Sequence, residues 1–120
     1  SLGNSMFIKY ICKNNLKVGF YISLAGFAEA FCVDGKDILN KVIEPLIIYS
    51  EEKVKIMNLI NARYSIYSDN DHIVPFRILK EYSLAVNSKP IFISGIGHMG
   101  KKSGLETLPQ VIEIIKNQEV

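Results

Sequence analysis

Three short apolar runs, Val18–Leu24, 62–68 and 90–94, constrain this chain more than any other feature, because helix-like stretches separate them. The first run, Val18-Gly19-Phe20-Tyr21-Ile22-Ser23-Leu24, shows no polar alternation, which is the pattern of a central parallel strand buried on both faces. Parallel neighbours need crossover connections, and right-handed crossovers bring the C-terminal ends of all strands to one edge. The expected fold class is therefore α/β: a three-layer arrangement with a parallel sheet, three strands in this chain, and helices on both faces.

The helical segments follow from periodicity and capping. A first helix is expected over 4–13, with Met6, Phe7, Tyr10 and Ile11 as its apolar members and Asn14-Asn15 as its end. Residues 28–49 are less regular. Asp37–Ile43 suits a helical turn or two, and Pro45 disturbs any helix there unless it opens a new one. Ser50 reads as a cap followed by Glu51 and Glu52, with Val54, Met57 and Ile60 as the apolar face beyond. A helix over 76–86 would bury Ile78, Leu79, Tyr82 and Ala85. Lys101 and Lys102 open a solvated loop, and a closing helix over 107–116, with Pro109 in its first turn, carries Val111, Ile112, Ile114 and Ile115. No repeat or linker divides residues 1–120, so they read as a single domain.

Charge and composition exclude several functions. Fourteen basic and twelve acidic side chains leave a net charge of +2 with the lysines scattered, so no nucleic-acid footprint is present. No apolar run reaches the ~18 residues of a membrane span, and none forms a secretory core near the start. Cys12 and Cys32 have no metal-ligand spacing and read as small buried fillers, a usage that fits a cytoplasmic location.

Chemistry concentrates in two loops. The second strand runs into Ser68-Asp69-Asn70-Asp71-His72-Ile73-Val74-Pro75, and the third into Gly95-Ile96-Gly97-His98. On a parallel sheet both loops lie on the same edge, where open α/β sheets place their sites. The twenty-six residues between Asp71 and His98 match one helix-strand step. A histidine becomes a general base when a carboxylate fixes its tautomer and stabilises the imidazolium, which leaves a hydroxyl nucleophile to be found. Ser1-Leu2-Gly3 directly precedes the first helix, where such a hydroxyl would sit on a strand-to-helix turn.

At these residues the chain resembles a family. Ser1-Leu2-Gly3-Asn4 ahead of a helix resembles the tail of the nucleophile elbow of α/β-hydrolases, Ser68-x-x-Asp71-x-x-Val74-Pro75 their acid loop, and Gly97-His98 their histidine loop. Ser23-Leu24-Ala25-Gly26-Phe27 and Ile66-Tyr67-Ser68-Asp69-Asn70-Asp71 resemble the branch of small, lidless serine hydrolases that includes YdeN and retinoblastoma-binding protein 9. The resemblance implies a serine hydrolase acting on a small ester or amide. Ser1 would be the nucleophile, His98 the base and Asp71 the acid; the Leu2 N–H would be an oxyanion donor. No cofactor and no metal are implied. It covers nearly the whole chain but only the C-terminal part of such a domain, so a missing N-terminal portion or a homo-oligomer is the expected complement of the free strand edge.

Each residue also has a plainer reading. Ser1 could be an ordinary helix cap, Asp71 an Asx-turn residue with Asp69 competing as the acid, and His98 a core or surface histidine. Asp69 and Asn70 are expected to bond their own loop backbone, and His72 to point away from the acid-base pair. Gly26 and Phe27 either line an acyl pocket or simply pack. Tyr10, Tyr21, Tyr64 and Tyr67 read as core or half-buried. The rivals to catalysis are a non-catalytic interaction module of the same fold and an inactive fragment.

Overall fold

The computed structural model describes residues 1–32, 34, 35, 37–100 and 107–118. The loop expected to open at Lys101 and Lys102 lies outside them. In chain order the elements are α1 (Leu2–Asn14), β1 (Val18–Leu24), α2 (Asp37–Ile43), a 3₁₀ turn (Glu44–Leu46), α3 (Ser50–Leu59), β2 (Ile60–Tyr67), α4 (Phe76–Ala85), β3 (Lys89–Phe92) and α5 (Pro109–Gln118). The three strands form one parallel sheet in the order β1-β2-β3, with Leu24 opposite Ile66 and Tyr67 opposite Phe92. All three therefore deliver their following loops to one edge, as the alternation of elements implied.

Helices cover both faces. On the face carrying Tyr21, Ser23, Ser65 and Tyr67, Ile8, Ile11 and Cys12 of α1 pack with Tyr21, Ile56, Tyr82 and Val86. Tyr67 packs there with Val74, Ile78 and Leu79. On the opposite face α5 buries Ile114 and donates from Gln118 Nε2 to Tyr64 Oη at 2.9 Å. This covers the β2–β3 side. The β1 residues of that face are less shielded: Phe20 and Ile22 are half-buried and Leu24 is 36% exposed. The expectation that β1 is buried on both faces is thus corrected, since it lies at the edge of the sheet and only Tyr21 and Ser23 are fully enclosed.

Helix faces depart further from the pattern of apolar residues. α1 buries Asn4, Ser5, Ile8, Ile11 and Cys12, while Met6 and Tyr10 are exposed. Two of its sheet-facing positions are polar because each meets a backbone carbonyl: Asn4 Nδ2 donates to Leu24 O at 2.8 Å and Ser5 Oγ to Phe27 O at 3.0 Å. Burial is tolerable for such groups once they are paired. In α3 the enclosed residue is Ile56, whereas Val54 and Met57 face outward and Ile60 already belongs to β2. Ser50 is the first helical residue rather than the cap; Glu52 Oε1 accepts the N–H of the capping Tyr49 at 3.1 Å. Pro45 is the second residue of the short 3₁₀ turn, the first-turn role left available to it. Cys12 is buried but Cys32 is exposed, which corrects the pairing of both as fillers.

Candidate active site

The start of α1 is laid across the end of β1. Ser1 occupies the N-cap position, and its backbone nitrogen donates to Leu24 O at 2.9 Å, the carbonyl that Asn4 Nδ2 also uses. Asn4 Oδ1 in turn accepts from Tyr21 Oη at 2.8 Å, and Tyr21 and Tyr82 share a hydroxyl contact of 2.8 Å. Burial drives both phenol pKa values well above the usual range, so the chain of hydrogen bonds stays neutral. The link from Ser1 to Tyr82 was not anticipated. Its only trace in the sequence is a polar Asn4 one helical turn before Ile8.

Asp71 sits beyond the end of β2 with its side chain fully shielded from solvent. Its Oδ1 accepts the N–H groups of Ile73 at 2.8 Å and Val74 at 2.9 Å, and its Oδ2 lies 2.6 Å from His98 Nδ1. Turn residue and histidine partner are therefore the same side chain, one oxygen for each. Burial pushes the carboxyl upward, but the bonds from His98, Val74 and Ile73 outweigh it and hold Asp71 below the ordinary carboxylate value. Asp69 does not meet the imidazole.

The residues before Asp71 clasp the histidine loop. Asp69 Oδ2 accepts from Ser94 Oγ at 2.9 Å and its Oδ1 from Gly95 N at 3.0 Å. Ser68 Oγ accepts from Ile96 N at 3.1 Å, and Asn70 Oδ1 from Gly97 N at 2.6 Å. The Gly95 N–H and then the Ser94 hydroxyl hold the Asp69 carboxyl below its ordinary value. This corrects the expectation that Asp69 and Asn70 serve their own loop: their main partners lie across the sheet edge. The turn they grip needs left-handed backbone at Gly95 (φ 81°) and Gly97 (φ 58°), where residues with a Cβ are strained.

Ser1 and His98 line one cavity of about 260 Å³ with largely apolar walls. No hydrogen bond joins Ser1 Oγ to His98 among the described residues; in sites without substrate such contacts are often long and tighten only in the reacting complex. Leu2 lines the same cavity as the first residue of α1, where helix N–H groups lack intrahelical acceptors and the helix dipole favours negative charge. His72 is exposed, but its ring lies edge-on to that of His98 with centroids 6.3 Å apart, rather than pointing away. Tyr10 is exposed, Tyr64 half-buried, and Tyr21 and Tyr67 buried. Among the described residues no group of three or more His, Cys, Asp or Glu side chains is placed to hold a metal ion. None of the described helices is long and apolar enough to cross a membrane.

Residues 12–117 match the family described as "Serine hydrolase". Among solved structures, the ydeN gene product from B. subtilis superimposes with a TM-score of 0.83 at 22% sequence identity, over 98% of this chain and 61% of that one. The chain thus spans about three fifths of the length of that structure. No curated protein matches the sequence.

Proposed function

The chain belongs to the serine hydrolase family, and on that premise we propose that it cleaves a small carboxylic ester or amide through Ser1, His98 and Asp71. The observation that carries this reading is the 2.6 Å contact of His98 Nδ1 with a shielded Asp71, in a histidine that lines one cavity with Ser1. Asp71 accepts a hydrogen bond from Nδ1–H, which keeps the proton on Nδ1 and leaves Nε2 free to act as base. Ser1 Oγ attacks the acyl carbon while its proton passes to His98 Nε2. The oxyanion of the tetrahedral intermediate is met by the Leu2 N–H at the start of α1. Collapse breaks the bond to the leaving group, which takes the proton from His98. Water then repeats the cycle on the acyl-enzyme and releases the acid. Free thiols at Cys12 and Cys32 fit work in the cytoplasm.

The test is covalent labelling of the whole protein by diisopropyl fluorophosphate, followed by intact mass. One phosphoryl adduct on Ser1 is expected, absent from Ser1→Ala and slowed by about a thousandfold or more in His98→Ala. A folded protein that takes up no label would refute the reading and leave the non-catalytic module in its place.

A further inference from the structure

The cavity beside Ser1 and His98 has a chemistry of its own. Its walls are Leu2, Phe27, Phe31, Ile43 and Ile73, and apart from His98 no ionisable side chain lines it among the described residues. Two walls are faces of the core itself. Phe27 is fully buried and Ile43 nearly so, both packed in the cluster that holds Val74, Ile78 and Leu79. Phe31 is less enclosed and stands edge-on to Phe27 with ring centroids 5.1 Å apart. The cavity is therefore pre-formed and rigid on its floor, with a more adjustable aromatic wall at its side.

On the reading of the chain as a serine hydrolase, we infer that this cavity receives the acyl part of the substrate and selects an uncharged, apolar acid. A volume of about 260 Å³, at roughly 30 Å³ for each water-sized group, suits an acyl chain of about four to eight carbons. Each methylene that enters leaves water for a hydrocarbon wall, a gain of about fourfold in specificity. A terminal carboxylate on the same chain would be buried among apolar side chains, and among the described residues the walls beyond Ser1 and His98 offer it neither a donor nor a counter-charge. Selection rests on the acid side of the scissile bond and leaves the leaving group unspecified.

The experiment measures kcat/KM of the whole protein on p-nitrophenyl acetate, butyrate, hexanoate and decanoate and on the p-nitrophenyl half-ester of adipic acid, with diisopropyl fluorophosphate labelling of Ser1 run in parallel. The expected profile rises about fourfold per methylene to a maximum between butyrate and hexanoate and falls at decanoate. The adipate half-ester should be at least tenfold poorer than hexanoate. Phe31→Ala, which opens the less enclosed wall, should move the maximum toward decanoate and leave the adipate penalty in place. A protein that labels at Ser1 but shows a flat profile, or that prefers the adipate half-ester, overturns the inference while the hydrolase reading stands. A folded protein that neither labels nor turns over any ester overturns both.

Discussion

Asn70→Ala strands a donor in a loop that Asn70 does not belong to. Gly97 is buried and its N–H donates to Asn70 Oδ1 at 2.6 Å, so removing that oxygen leaves a buried N–H without an acceptor. The cost is about 1–3 kcal/mol if the loop holds its place. The alternative is that the loop shifts until water reaches the group, and His98, the next residue, shifts with it. The 2.6 Å contact with Asp71 would then lengthen. Misplacing a catalytic group by about 1 Å costs on the order of 10²-fold in rate. We expect kcat on a p-nitrophenyl ester to fall about 10- to 100-fold, with KM little changed because Asn70 does not line the cavity. Urea unfolding should show a loss at the lower end of the energetic range. Asn70→Asp keeps an oxygen where Gly97 needs it and should restore most of both quantities. The reasoning fails if Asn70→Ala loses stability yet keeps more than half of the wild-type kcat, because the clasp would then be structural only. It fails equally if Asn70→Asp is as damaged as Asn70→Ala.

Three further outcomes follow from other contacts. In Gly26→Ala the new Cβ would lie 2.5 Å from Tyr82 Cε1, against a buried ring whose hydroxyl is tied to Tyr21, so urea unfolding should show a loss of about 1–3 kcal/mol; an unchanged midpoint would mean that the ring can retreat. Tyr21→Phe removes the hydroxyl between Asn4 and Tyr82 and should destabilise the fold by about 1–2 kcal/mol and slow fluorophosphonate labelling of Ser1; wild-type labelling would show that α1 holds its start without that link. Because the folded-state pKa of Asp71 is depressed, its contribution to stability is complete above the unfolded carboxylate value of about 3.9 and is lost as the pH falls through the lower folded value. Asp71→Asn should therefore flatten the acid limb of stability against pH below about pH 4, and identical slopes in the two proteins would contradict that assignment.

The strands were legible because each is a compact apolar run that ends in a loop of small or polar residues, and a parallel sheet leaves few other homes for such runs. Their ends were harder to read. β2 begins at Ile60 because α3 passes into it without a linker, and no glycine or proline marks the change. Helix faces were the least legible. The side of α1 that meets the sheet carries Asn4 and Ser5, and their suitability depends on the carbonyls of Leu24 and Phe27, 20 and 22 residues away. An apolar stripe drawn from Met6 and Tyr10 is reasonable for an isolated helix. It lost to a packing in which two polar side chains serve as contacts between the helix and the strand loop.

Asp71 and His98 could be paired from the sequence because each follows a strand and both strands share an edge. The grip of Ser68, Asp69 and Asn70 could not. Such side chains bond whatever backbone group lies nearest, and within a single loop that group is usually their own. Here the register of β2 and β3 decides otherwise. Tyr67 stands opposite Phe92, and the ladder continues one step further, with Ile93 N donating to Tyr67 O at 3.0 Å. The two chains therefore leave the sheet in step. Between them the four residues from Ser68 to Asp71 meet every residue from Ser94 to His98: Asp69 takes Ser94 and Gly95, Ser68 takes Ile96, Asn70 takes Gly97 and Asp71 takes the imidazole. One residue added to either loop would shift every one of these partners. The placement of His98 is thus a property of strand register as much as of its contact with Asp71, and the loop that supplies the acid also sets where the base can stand.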